Sequence, residues 1–161
     1  MEFKTGPIDG VIVRPLRKFQ DSRGWLCELF RDDDLPPALQ PVMAYISETL
    51  AGVTRGPHEH VDQTDYFGFF GPGNFKVVAW DNRPDSPTFG HRWSDVVGED
   101  KPTLIVIPPG VVHAYTNVSS VAGLVFNAPN RLYKGASRKD PVDEVRHEDD
   151  PDSPFQVDSA I

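Results

Sequence analysis

The chain has 161 residues, 25% of them charged, with 24 acidic against 16 basic side chains and a net charge of −8. That length accommodates one domain with a real core, the acidity excludes a general nucleic-acid binder, and no apolar run reaches the length of a membrane span. Sixteen prolines and 13 glycines exclude a long helical bundle and suit an all-β chain rich in turns.

Residues 10–19 read as a strand that enters through Val11-Ile12-Val13. Asp21-Ser22-Arg23-Gly24 is a turn, and residues 25–30 return as a strand, with Trp25 and Cys27 on one face and Leu26 and Glu28 on the other. Cys27 is the sole cysteine, so no intrachain disulfide forms; it reads as a small buried apolar residue in a reducing, cytoplasmic setting. The first residues lack the apolar stretch of a secretory signal. Residues 32–37 form an acidic loop with room for one helical turn. Residues 42–49 and 52–60 read as strands. Residues 66–70 and 75–80 flank Gly71-Pro72-Gly73-Asn74 and predict a hairpin. Residues 103–107 are a continuous apolar strand, and 114–118 with 121–127 predict a strand pair around Ser119-Ser120. From residue 134 onward the chain is polar and acidic, expected to wrap the outside, with its last few residues disordered. No repeat or linker divides residues 1–161, which read as one domain. Short strands at this spacing predict a closed or sandwiched β architecture, which a double-sheet jelly roll with room inside for a ligand would fit.

The chemistry concentrates in His58-Glu59-His60, Asp65 and His113. Strand residues i and i+2 share a face, so His58 and His60 point together. Val61-Asp62-Gln63-Thr64 makes the turn to a strand that Asp65 opens, and His113 follows Pro108-Pro109-Gly110 into a later strand. Three imidazoles and a carboxylate suit zinc, iron, manganese or nickel better than calcium or magnesium. The competing readings are hydrogen-bonded histidines in a metal-free pocket and, for Asp65, a surface carboxylate beside a turn. Glu59 points to the other face and is assigned no role. Trp25, Trp80 and Trp93 read as core or interface, and His91 and His147 fall in no pattern.

The spacing His58-x-His60, four residues, Asp65, then Gly71, resembles the first motif of the cupin superfamily. Pro108, Gly110, His113 and Asn117 resemble the second. The resemblance implies a cupin-type double-stranded β-helix with few short helices, and a divalent transition metal held by His58, His60, Asp65 and His113. Asp65 is one methylene shorter than the usual glutamate.

From residue 10 to 157 the chain further resembles the dTDP-4-dehydrorhamnose 3,5-epimerase family. The resemblance rests on Asp21-Ser22-Arg23-Gly24-Trp25 with Glu28, on Arg55-Gly56-Pro57-His58, and on the segment from Asp81-Asn82-Arg83 through Ser86-Pro87-Thr88-Phe89-Gly90. Pro109-Gly110-Val111-Val112-His113 and Asp150-Pro151 complete it. It implies a nucleotide-linked keto-sugar as small-molecule substrate, a homodimer, and substrate contacts from Arg23, Glu28, Arg55 and Tyr45; Arg83 reads as structural. His58 falls on the family's base, which an aspartate orients, and Asp150, near the family's late Asp-Pro, counts among the catalytic candidates. The departures cluster at the chemistry. The family's lysine position falls on Asp65, its proton-donating tyrosine on Phe126, and a glutamine on His60, while two nucleotide-contacting positions hold Met43 and Tyr45. Metal-free 3,5-epimerisation is therefore expected to be lost, and two of the changes add metal ligands. Tyr115 and Tyr133 are the candidates to replace the missing proton donor.

The expected activity is a metal-dependent epimerisation or keto-isomerisation of a nucleotide-linked keto-sugar through a metal-stabilised enediolate. A histidine that ligates a metal is not free to abstract a proton, so the base stays open among Glu28, Tyr45, Tyr115 and Tyr133. A metal-dependent oxygenase and a non-catalytic sugar- or nucleotide-binding protein are the alternatives.

Overall fold

Long apolar runs with few charges become strands covered on both faces, and such runs dominate the middle of this chain. The computed structural model describes residues 2–157. Its strands, in chain order, begin with β1 (Lys4–Thr5), β2 (Ile12–Pro15), β3 (Lys18–Asp21) and β4 (Gly24–Cys27). There follow β5 (Tyr45–Thr49), β6 (Thr54–Glu59), β7 (Asp65–Phe69), β8 (Asn74–Asp81) and β9 (His91–Gly98). The last are β10 (Thr103–Ile107), β11 (Val111–Asn117), β12 (Gly123–Asn127) and β13 (Val145–Arg146). Two 3₁₀ turns, Asp32–Asp34 and Pro37–Leu39, are the helical elements among the described residues. None is long and apolar enough to cross a membrane.

One sheet has the order β1-β9-β8-β11-β6-β13 and the other β2-β10-β7-β12-β5, with β3-β4 a separate hairpin. This is the all-β jelly roll expected from the strand spacing together with the cupin-like motifs. Between the sheets lie Phe67, Phe69, Phe75, Val77, Ile105, Val111, Tyr115 and Val125. Truncating a core ring such as Phe75, which is fully buried, costs about 3–5 kcal/mol. The outer face of the second sheet is covered as well: Leu16, Tyr66, Leu104, Val106 and Ala128 pack against Cys27, Leu29 and Phe126. Behind the first sheet, Val78, Trp80, Val112 and Ala114 pack on Phe155 of the C-terminal segment.

Double coverage explains where the sequence expectations fail. The two predicted hairpins do not pair. β7 bonds to β10 and β12 in one sheet, while β8 bonds to β9 and β11 in the other. Likewise β11 and β12 lie in different sheets. Each turn carries the chain across the core, so Phe69 and Phe75 meet from opposite layers with ring centroids 5.5 Å apart. Gly73 sits at this corner with φ +87°, where a Cβ would lie 3.0 Å from Gly123 Cα. Residues 10–19 form two strands, because Pro15, with no N–H to donate, ends the edge strand β2. β9 and β13, neither expected, are half-polar or very short. The acidic C-terminal segment does not merely wrap the outside. It adds β13 beside β6, with Arg146 opposite His58. The disorder expected at the extreme end concerns residues outside those described.

Candidate functional site

β6 carries His58 and delivers His60 one residue past its end, β7 opens with Asp65, and β11 sets His113 opposite His58. A bulge between β6 and β11 makes this possible: His113 pairs with His58, yet Tyr115 pairs with Arg55. Gly56 absorbs the extra residue at φ +82°, where a Cβ would stand 2.5 Å from the His113 carbonyl oxygen. Only glycine fits that close approach. Gly110, in the turn before β11, donates its N–H to the His60 carbonyl at 2.9 Å.

The four side chains converge. Ring centroids lie 4.5 Å apart for His58 and His113, and 5.7 Å for His58 and His60. One ligand atom from each of His58, His60, Asp65 and His113 lies within 4.8 Å of all the others. Asp65 and His113 are buried, at 1% and 2% exposure. Asp65 is therefore no surface carboxylate. Its Oδ1 accepts from Gln63 Nε2 at 2.9 Å and Asn127 Nδ2 at 2.8 Å. Its Oδ2 faces His60 Nε2 at 3.0 Å and His113 Nε2 at 3.3 Å. His113 Nδ1 donates to the Val111 carbonyl at 3.1 Å, and His60 Nδ1 donates to the Asp143 carbonyl. Both rings thus present Nε2 to the carboxylate, the tautomer that leaves a lone pair for a cation.

A carboxylate oxygen this close to two imidazole nitrogens needs a positive charge between them, a proton when no metal ion is bound. Burial disfavours charge on Asp65, but the contacts from His113 and His60 outweigh it and hold the carboxyl well below its usual range. For His60 burial likewise opposes charge, yet Asp65 and the Asp143 carbonyl raise it to about 9. Burial, with His113 and His60 as neighbours, pushes His58 down to about 2. His58 Nδ1, Asp65 Oδ2 and His113 Nε2 are buried with no hydrogen-bond partner. Three buried, unpartnered polar atoms within a cluster of three imidazoles and a carboxylate fit a divalent transition ion.

The cluster forms the floor of a cavity of about 890 Å³, within the range of small-molecule sites. Tyr45, Arg55, Tyr115 and Tyr133 line it, as expected for site residues. Arg55 is held by Thr49 Oγ1 at 3.0 Å and the Glu48 carbonyl at 2.7 Å. Burial, then the charge of Asp65, pushes the Tyr45 phenol up to about 12.

Four expectations need correction. Arg23 stands outside the cavity at the tip of the β3–β4 hairpin, exposed and paired with its own Asp21 at 2.6 Å. Glu28 lies in a shallow groove on the outer face, 3.5 Å from Arg31. Asp150 is exposed and its carboxylate accepts the Asp152 N–H at 3.0 Å, capping a local turn. Phe126 points outward into the cluster of Leu16, Tyr66 and Leu104, because β12 alternates and its inward residues are Val125 and Asn127. The inward position at the cavity end is thus Asn127, whose amide is no general acid either. Arg83 is structural: with Ser86 and Thr88 it surrounds the Asp81 carboxylate.

Gln63, Asn127, Asp143, Glu144 and Glu148 were missed. Glu144 and Glu148 lie 3.6 and 4.0 Å from His58 Nδ1. Strand alternation from Val125 could have found Asn127; nothing distinguished the three acidic residues within an acidic tail. Glu59, given no role, is buried on the far face between Asn82 Nδ2 and His147 Nε2, both at 2.9 Å, and so anchors that tail.

The family model described as dTDP-4-dehydrorhamnose 3,5-epimerase matches residues 5–149. The probable low-salt glycan biosynthesis epimerase Agl13 of Haloferax volcanii is 37% identical over 127 residues, covering 78% of this chain and 81% of that one. The spore coat polysaccharide biosynthesis protein SpsL of Bacillus subtilis is 42% identical over 109 residues, covering 67% and 70%. A solved dTDP sugar isomerase from Desulfovibrio desulfuricans is similar over 92% of this chain and 91% of that one, with a TM-score of 0.79 and 26% identity.

Proposed function

The chain belongs to the dTDP-4-dehydrorhamnose 3,5-epimerase family, a family of isomerase-class enzymes, and we propose that this member is a metal-dependent epimerase of a nucleotide-linked keto-sugar. The observation that carries the reading is the cluster of His58, His60, Asp65 and His113, one ligand atom of each within 4.8 Å of the others, in which His58 Nδ1, Asp65 Oδ2 and His113 Nε2 are buried without hydrogen-bond partners beside a ligand-sized cavity. His58, His60, Asp65 and His113 hold the ion. Bound there, a divalent transition metal supplies the polarisation of a substrate carbonyl that a lysine supplies in metal-free chemistry.

The remaining work falls to the chain's own groups. Glu144 reaches the cavity from the C-terminal segment and is not one of the four ligands. Its carboxylate takes the proton from the carbon beside the keto group, leaving the electron pair in the enolate. Tyr45 stays protonated, its phenol pushed up to about 12, and returns a proton to that carbon. Exchange with cavity water resets both groups. Arg55, whose Nε and one terminal nitrogen are anchored, offers the other to a phosphate oxygen. We also propose a homodimer, supported by the exposed apolar side chains Ile12, Trp25, Leu26 and Phe30 on and beside β2 and the β3–β4 hairpin. A solution mass showing monomers at micromolar concentration would contradict it.

Elemental analysis of the purified protein and of His60→Ala tests the metal. The wild type should carry close to one transition ion per chain and the variant several-fold less. Equal occupancy in both removes the site. Oxygen uptake by the iron-loaded protein would move the reading to an oxygenase.

A further inference from the structure

We infer that Asp143 is a positioning residue for His60, acting through its backbone carbonyl and its carboxylate together. The inference rests on the metal reading above and names what holds one ligand in place. Asp143 is remote in sequence from the turn it controls: its carboxylate meets that turn at separations of 80 to 82 residues. Oδ1 accepts the Val61 N–H at 2.8 Å. Oδ2 accepts those of Asp62 at 2.9 Å and Gln63 at 2.8 Å. Three consecutive amides closing on one carboxylate form a cradle with charge-assisted bonds. The same residue's carbonyl accepts the proton of His60 Nδ1.

The two halves are coupled by covalent geometry. With the carboxylate fixed by residues 61–63, the carbonyl has little freedom, and it meets His60 Nδ1 in one place. An imidazole that donates from Nδ1 keeps the Nε2 lone pair, and Nε2 is the atom 3.0 Å from Asp65 Oδ2. β13 fixes Asp143 in turn, pairing Val145 with Glu59 and Arg146 with His58. The turn between β6 and β7 joins two sheets and has no ladder of its own. Without the cradle its amides would face water and His60 would lose its orientation. Replacing a group that orients a ligand in this way typically weakens metal binding about 10–100-fold.

The test uses cobalt(II), whose d–d absorption reports the geometry and identity of its ligands. Wild type, Asp143→Ala and Asp143→Asn are titrated with cobalt, and amide hydrogen exchange is followed at Val61, Asp62 and Gln63. The expected result is binding weakened about 10–100-fold in Asp143→Ala with a shifted d–d spectrum, faster exchange at the three amides, and partial recovery of both in Asp143→Asn. Asparagine keeps the shape and one acceptor oxygen, so it carries the test even if Asp143→Ala fails to fold. Variants that lose amide protection yet bind cobalt with wild-type affinity and spectrum would make Asp143 a loop anchor only and overturn the inference. Failure of the wild type itself to bind cobalt would overturn the metal reading and this inference with it, and is distinguishable because it needs no variant.

Discussion

The side-chain amide of Asn127 donates to Asp65 Oδ1 at 2.8 Å and so turns Oδ2 toward His60 and His113. The same amide donates to the Tyr45 hydroxyl at 2.8 Å, and Asn127 Oδ1 accepts the Tyr66 N–H at 3.0 Å. One buried residue thus couples the histidine–aspartate cluster, the proposed proton donor and the start of strand β7. Such partners are decisive for ligand orientation although they never touch the ion.

Asn127→Ala should therefore weaken zinc binding by about 10–100-fold, measured by competition with a chromophoric chelator. Gln63 still donates to Asp65 Oδ1 at 2.9 Å in that variant, so some affinity remains. An unchanged affinity would mean that Gln63 alone suffices to aim the carboxylate.

The cluster of His58, His60, Asp65 and His113 was legible because a metal site demands a fixed donor set at a fixed spacing. His58-x-His60, Asp65 and His113 satisfy it on strands whose side-chain period is known. Gln63 and Asp143 were not legible, because amides and carboxylates in turns and acidic tails are common and only the fold brings these two to the cluster. Phe126 shows how fine the margin is. One residue of register separates an outward ring from the inward Asn127, and the continuous apolar run Leu124-Val125-Phe126 hides the alternation. The same double-sided burial made β7 and β8 look like a hairpin. Local turn chemistry was right at Gly71-Pro72-Gly73, but the choice of partner strand is a long-range property of the core.

The Asp-x-Arg-x-x-Ser-x-Thr segment makes a stability prediction. Asp81, 1% exposed, accepts from Arg83 Nε at 2.8 Å, Ser86 Oγ at 2.5 Å and Thr88 Oγ1 at 2.6 Å. Burial opposes its charge, but Arg83, Ser86 and Thr88 prevail and lower the carboxyl to about 2. The folded value lies below the unfolded one, so the stabilisation is present above about pH 4 and is lost as the pH falls toward 2. It amounts to about 2 kcal/mol. Asp81→Asn should be less stable than wild type by about that amount at pH 7, with roughly half of the gap gone by pH 3. Urea unfolding at both pH values checks this; a gap independent of pH would assign the effect to lost packing instead.

Gly56→Ala tests the bulge that aligns His58 with His113. The substitution adds a Cβ 2.5 Å from the His113 carbonyl and places alanine at φ +82°. Backbone strain of this kind costs on the order of 1–3 kcal/mol, and the clash adds to it. We expect a loss of at least ~2 kcal/mol in urea unfolding together with reduced metal occupancy. Wild-type stability would mean that the bulge can move elsewhere along β6.

The reaction itself is tested by isotope exchange. With Asp65 where metal-free relatives are expected to carry a lysine, and no proton-donating side chain at the inward end of β12, both arms of the double epimerisation are altered. Incubation with dTDP-4-keto-6-deoxyglucose in deuterated water should incorporate deuterium at one of C3 and C5, not both, and a chelator should abolish it. Glu144→Gln should lose exchange by a hundredfold or more, as expected for removal of a general base, while keeping its metal content, because Glu144 is not among the four ligands. Exchange at both carbons in the presence of chelator would place this chain with metal-free double epimerases. Exchange that survives in Glu144→Gln but still requires the metal would leave the metal site standing and move the base to another cavity residue, with Glu148, 4.0 Å from His58 Nδ1, the next to be changed.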